Sequence, residues 1–282
     1  MDSKSLFREH LKIITSNATK ALEACGFDYL AIDAGSAMVH FADDMHVPFK
    51  ATPHFTHWCP VADESHIIFF RPGEKPQLFH VAPYDYWHEH KPLETSFWTD
   101  EFSITSTPTS EAGWAQISTH RKVAYIGPHS KDAMEAGAIP NPSNLTAYLD
   151  WFRAYKSAYE IDCISTANKK ATPGHRKARE LFLAGASELE IHLGYLAAVG
   201  FEESALPYRT IICLDERGAI LHYHDKRLVG NGKSFLIDAG AQHIDPLLAL
   251  TFLEHGFLKT RIRFSSGWSL VSISHRWRLR LH

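Results

Sequence analysis

Phe7, Leu11, Ile14, Ala18, Leu22 and Cys25 recur at steps of three and four. That stripe predicts an amphipathic helix, and Gly26 stands where such a helix would end. Residues 27–32 then read as a first strand, with further strands at 66–71, 77–81 and 122–126. Helical patterns fall at 130–136 and 143–154. Helices alternating with strands predict an α/β domain over residues 1–155.

The pattern restarts at Ser157. Ile161, Ile164, Ala167 and Ala171 mark one helix, which Pro173 is expected to end or kink. Residues 175–184 continue as helix to Gly185. Ser187-Glu188-Leu189-Glu190 is a capping box. It opens a helix expected to turn Leu189, Leu193 and Leu196 inward and to stop at Gly200. Strands at 210–214 and 219–223, joined by Asp215-Glu216-Arg217-Gly218, predict a hairpin. A Gly-rich loop, Gly230-Asn231-Gly232, leads to Ser234-Phe235-Leu236-Ile237-Asp238-Ala239-Gly240-Ala241. This last stretch is a short apolar strand that ends on a carboxylate. A strand interior rejects an unpaired carboxylate, so Asp238 at the strand exit serves either a turn or chemistry.

Composition narrows the classes. A net charge of -3, from 29 basic and 32 acidic side chains, argues against a nucleic-acid-binding surface. No apolar run is long enough for a bilayer, and the first residues lack the apolar core of a signal peptide. The four cysteines form no C-x-x-C pair, which fits reduced thiols and a cytoplasmic location. The 19 histidines include His54-Phe55-Thr56-His57 and His88-Glu89-His90, neither with the helical spacing of a zinc motif. The aromatic, proline-rich segments around Pro53 and Pro83 read either as rigid loops or as the wall of a cleft or subunit interface.

Several of these stretches, taken together, resemble a known family. Leu206-Pro207-Tyr208, Ala219-Ile220-Leu221-His222-Tyr223 and Phe235-Leu236-Ile237-Asp238-Ala239-Gly240-Ala241 are similar to bacterial prolidases, the Xaa-Pro dipeptidases. So are Phe41-Ala42-Asp43-Asp44, Pro48-Phe49-Lys50, Pro53-His54-Phe55-Thr56-His57-Trp58 and Pro83-Tyr84-Asp85-Tyr86-Trp87-His88. The resemblance covers residues 1–242. It implies an α/β N-terminal domain of the creatinase/prolidase type (1–155) and the first part of an α+β pita-bread metallopeptidase domain (156–242). It further implies two Mn2+ ions held by two Asp, one His and two Glu, a proline-containing dipeptide as substrate, and a homodimer. On this resemblance Asp238 is the first metal ligand, His222 a catalytic-site histidine, and Tyr208 and Trp87 substrate-pocket aromatics. The alternatives are an Xaa-Pro aminopeptidase of the same fold and a non-enzymatic dimerisation or peptide-binding remnant.

From His243 the resemblance stops. The second metal-binding Asp is missing from Leu247-Leu248-Ala249-Leu250-Thr251-Phe252, and acids give way to Lys259, Arg261, Arg263, Arg276, Arg278 and Arg280. Two explanations are open: a genuine basic surface extension, or a frameshift, which is the expectation here. Read from the third base of the His243 codon, permitted codons can give Tyr-Arg-Ser-Ala-Ile-Gly-Ile-Asp-Ile-Ser-Arg-Thr-Trp, which restores the Asp. The 243–282 tail is therefore expected to be foreign to the family, and the chain as written truncated, inactive and left with an unpaired sheet edge.

Overall fold

The computed structural model describes residues 2–84, 86, 93–117, 121–220, 222–245, 248–250, 260–264 and 268–272. They form two compact units, Met1–Asp162 with Ile244–Leu250, and Cys163–His243 with Thr251–His282.

In the first unit, helix α1 (Ser3–Cys25) starts where the Asp2 carboxylate accepts the Ser5 N–H. It ends at Gly26, which takes the left-handed conformation (φ 70°) that glycine tolerates. Then follow β1 (Tyr29–Asp33), α2 (Pro53–Trp58), β2 (Ile67–Phe70), β3 (Gln77–Val81) and β4 (Ser103–Thr107). After them come α3 (Ser110–Trp114), β5 (Val123–Ile126), α4 (Lys131–Glu135), β6 (Ile139–Pro140) and α5 (Ser143–Arg153). The sheet order is β4-β3-β2-β1-β5-β6. The β1–β2 and β2–β3 pairs are antiparallel, whereas β3–β4, β1–β5 and β5–β6 are parallel. Every residue of β2 and β5 is buried. Since alternate residues point to opposite faces, both faces of the sheet centre are covered. One face packs Ala31, Phe69, Phe79 and Tyr125 against Trp114 and Ile117.

The second unit contains most of α6 (Ala158–Leu183), then α7 (Glu188–Val199), β7 (Ile211–Leu214) and β8 (Ser234–Asp238). It also holds β11 (Thr260–Phe264) and β12 (Trp268–Ser272), whereas β10 (Leu248–Leu250) and most of β9 (His243–Asp245), which pair with each other, belong to the first unit. The sheet of this unit runs β12-β11-β8-β7. Ala178 and Phe182 of α6 and Ile191 and Tyr195 of α7 pack on Ile212, Leu214, Phe235 and Ile237. Phe182 stacks on Phe235 with centroids 5.1 Å apart.

Four expectations change. Helix α6 runs unbroken through Pro173. The residue after that proline, Gly174, lies against α7 so closely that a Cβ would sit 2.6 Å from Tyr195 and Val199, and this packing holds the helix in place. In α7 the capping box forms as expected, but Ile191 and Tyr195 face the core and Leu193 is exposed. That helix is apolar on nearly every side, so periodicity could not fix its phase. Among the described residues of 219–223 no strand forms: Asp215–Ala219 make a 3-10 turn instead. Finally, β8 is no open edge, because β11 pairs with it through Ile262↔Phe235 and Arg263↔Ser234.

Among the described residues no helix is long and apolar enough to cross a membrane. None of the four cysteines is in a disulfide.

The first unit buries several titratable groups. His66 accepts the Val81 N–H at Nδ1 (3.1 Å), a bond only the neutral ring can make. Burial, then the nearby His80, lowers its pKa to about 3. Burial and His57 likewise hold His10 at about 4. Glu160, although burial pushes it up, is held at about 2 chiefly by His57. The unfolded chain therefore binds more protons than the folded one as pH falls below the histidines' ordinary 6.5. Stability is expected to be full above that value and to fall toward pH 4. Urea midpoints across this range check it, and His66→Asn, which keeps an acceptor for Val81 but does not titrate, should flatten the profile.

Candidate functional site

Strand β8 pairs antiparallel with β7 in the register Ile211↔Asp238 and Leu214↔Phe235. Its interior is apolar, so the pairing draws Asp238 in with it: the residue is only 7% exposed. Its Oδ1 is buried and has no hydrogen-bond partner among the described residues. Leaving a buried carboxylate oxygen unpaired is costly, so this atom is the unusual feature of the site.

Three groups enclose it. Tyr208 is half-buried beside Asp238; burial first, then the Asp238 charge, pushes its hydroxyl pKa well up. The phenol is therefore a proton donor at neutral pH. Gly240 brings the backbone onto that ring, for a Cβ there would lie 3.1 Å from both Pro207 Cγ and Tyr208 Cε1. His175, from α6, makes a 3.0 Å Nε2 hydrogen bond with the carbonyl of Ala239 and stands edge-on to Tyr195. Its pKa is lowered by burial, against the opposing pull of Ala239 and Asp238. Sequence reasoning places His175 on a helix but assigns it no part in the site, since nothing in helical spacing points at a strand residue so far along the chain.

Of the residues expected here, Asp238 and Tyr208 come together. His222 does not join them from a neighbouring strand; it lies exposed on a bend after the 3-10 turn. The reason is local. The Asp215 carboxylate accepts the N–H groups of Lys233 (2.7 Å) and Ser234 (3.0 Å), which brings β8 directly back against β7. The intervening loop is gathered on Glu188, a fully buried carboxylate at the start of α7. Glu188 accepts the N–H groups of Leu214 and Arg227, both at 2.8 Å, and meets Arg217 and Tyr223 at 3.4 Å. Trp87 lies outside the described residues.

A carboxylate with a buried, unpartnered oxygen suits a cation. Among the described residues, however, no group of three metal-binding side chains gathers around Asp238. The described residues therefore fit one ligand of a two-ion centre and do not complete it.

Comparison with known proteins is informative at this point. The family described as Xaa-Pro dipeptidase, N-terminal domain, matches residues 5–151, and metallopeptidase family M24 matches residues 162–245. The Xaa-Pro dipeptidase of Cronobacter sakazakii is 38% identical over 86% of this chain and 57% of its own length. That of Citrobacter koseri is 37% identical over 85% and 56%. The chain thus spans a little over half the length of these relatives. Among solved structures, aminopeptidase P from E. coli with the inhibitor Pro-Leu superposes with a TM-score of 0.65 at 15% identity, covering 86% of this chain and 60% of that one. Proline aminopeptidase P II from Yersinia pestis gives 0.63 at 15%, covering 86% and 60%. At that identity the likeness is one of fold.

A carboxylate with one oxygen buried and unpartnered weakens the protein that holds it. In the presence of chelator, Asp238→Asn is expected to raise stability by about 1 kcal/mol, seen as a higher urea midpoint. An unchanged or lower midpoint would show the charge to be satisfied.

Proposed function

The chain belongs to metallopeptidase family M24, with the N-terminal domain of the Xaa-Pro dipeptidases, and on that premise we propose that it encodes part of a cytoplasmic, homodimeric prolidase. Residues 1–155 are its N-terminal domain and 156–242 the opening part of its catalytic domain. Its substrate class is dipeptides with C-terminal proline. The observation that carries this reading is the buried, unpartnered Oδ1 of Asp238, at the strand end where a first metal ligand is expected.

In this reading Asp238 is a ligand for Mn2+, which hard oxygen donors favour over softer alternatives. The two ions of such a centre lower the pKa of a bound water and polarise the scissile carbonyl. The chain's own residues prepare the position. Tyr208 covers the Asp238 side of the site as a neutral donor, and His175 pins the backbone just past it through Ala239. Tyr208 and Trp87 are assigned to the substrate pocket. His222 is assigned as a site histidine, a role that requires residues 219–223 to leave the turn and pair with the sheet.

A second reading is favoured by the first unit, whose six-stranded sheet has its own core: a dimerisation or peptide-binding module that needs no metal. An Xaa-Pro aminopeptidase of the same fold is separated from a dipeptidase by offering Gly-Pro beside Gly-Pro-Ala to a version with a complete ligand set.

Asp238 alone cannot hold two ions against water. The purified 282-residue chain is therefore expected to show no Mn2+-dependent release of proline from Gly-Pro, and measurable turnover would overturn that.

The tail has its own test. We propose that residues 243–282 are read out of frame. Sequencing the gene through the codons for Gln242 to Trp268 should reveal, in another frame, an Asp followed by a prolidase-like run and then His and Glu ligand motifs. If no alternative frame continues that way, the tail is genuine.

A further inference from the structure

A different part of the chain gathers the donor set that Asp238 lacks. His10 from α1, His57 from α2 and Glu160 from the first turn of α6 each offer one ligand atom, and these atoms lie within 4.8 Å of one another. His10 and Glu160 are almost fully buried, and the His57 side chain is 12% exposed. All three belong to the first unit. We propose that His10, His57 and Glu160 form a binding site for a divalent transition-metal ion, zinc by the chemistry of the donors.

The arrangement fixes which atoms face the site. His10 Nε2 lies 2.7 Å from the carbonyl oxygen of His57. A carbonyl only accepts, so that nitrogen carries the proton and Nδ1 keeps its lone pair. This is the bond that orients metal-ligating histidines elsewhere, where the second ring nitrogen donates to a carbonyl or carboxylate. The bare Nδ1 lies 3.8 Å from Glu160 Oε2, and His57 Nε2 lies 3.4 Å from Glu160 Oε1. Ligand atoms about 2.0–2.2 Å from a tetrahedral zinc stand roughly 3.4 Å apart, so small side-chain shifts suffice. The carboxylate is itself anchored, because the Ser157 N–H donates to Glu160 Oε2 at 2.7 Å. Two imidazoles and one glutamate are a known donor set for zinc sites that keep an open position. A cleft of about 20 Å3, lined by Ile14, Asn17, His54, His57 and Trp58 among others, reaches His57 from outside. It has room for about one water, the fourth ligand and the route in.

Without an ion the same groups hold one another. Ser157 Oγ, 2.9 Å away, donates to His10 Nδ1, and His57 pairs with Glu160. Binding would turn the Ser157 hydroxyl away and take the proton off His57 Nε2, the nitrogen that faces Glu160. The ion then ties together α1, α2 and the start of α6, so zinc should stabilise the first unit.

The test uses the full chain, stripped with chelator, titrated with Zn2+ against a chromophoric competitor. Asp238→Asn serves as a second background, in which the proposed Mn2+ ligand is gone. One zinc should bind in both proteins, raise the melting temperature of both, and bind about ten-fold or more weakly in His57→Gln. X-ray absorption of zinc-loaded Asp238→Asn protein should show imidazole nitrogens and no sulfur. That measurement decides the matter even if His57→Gln fails to fold. Failure to compete for zinc, affinity unchanged by His57→Gln, sulfur in the coordination shell, or loss of binding in Asp238→Asn would each overturn the assignment. The last outcome would move the zinc to the Asp238 position and leave that reading standing.

Discussion

Antiparallel pairing of β8 with β7 sets Asp238 opposite Ile211 and buries its carboxylate, on the face of β8 opposite Phe235 and Ile237. Everything distinctive about the second unit follows from that register. A slip by one residue would exchange the two faces of β8 and expose Phe235 and Ile237. The apolar residues therefore hold the acid in place at a free-energy cost, and the surroundings reduce the cost only in part. Tyr208 presents a neutral phenol beside it, and Gly240 lets that ring lie on the backbone. The direct return of the chain onto β7 depends in turn on Asp215, which caps the start of β8, and on Glu188, which gathers the loop between the strands.

Much of this was legible from residue patterns. The stripe on α1, the strands around Ile67, Gln77 and Val123, the capping box at Ser187 and the strand ending on Asp238 all have strong local signals, and each element formed. The failures are equally local in cause. Pro173 reads as a stop because its missing N–H and its ring disfavour a helix interior, yet tertiary packing of Gly174 on Tyr195 overrides that preference. Ala219-Ile220-Leu221-His222-Tyr223 reads as a strand because of its composition. A strand also needs a partner, and β8 takes the place beside β7 that the second strand of a hairpin would fill.

The candidate site divided along the same line. Asp238 and Tyr208, which lie together in the structure, each belong to a short local motif. His175 has no such signal, because it reaches Ala239 across 64 positions of chain, and no periodicity reports such a contact. The histidine pair of His54-Phe55-Thr56-His57 lacks metal-motif spacing, but His57 meets His10 and Glu160 from two other helices. Spacing rules detect ligands that share one helix and are blind to ligands brought together by packing.

Three buried acids make the physical contrast plain. Glu188 accepts two backbone N–H groups and faces Arg217 and Tyr223, so its charge is compensated and its work is structural. Glu160 accepts from Ser157 and pairs with His57, so it is satisfied without an ion, and a metal must displace a proton to bind there. Asp238 leaves one oxygen buried with no partner among the described residues. A metal arriving at that oxygen would remove an existing penalty. That makes Asp238 the position most ready to accept a cation and, for want of neighbouring ligands among the described residues, the one least able to keep it. The helical site has the opposite balance: three donors already converge, and the proton between His57 and Glu160 is what an ion has to overcome.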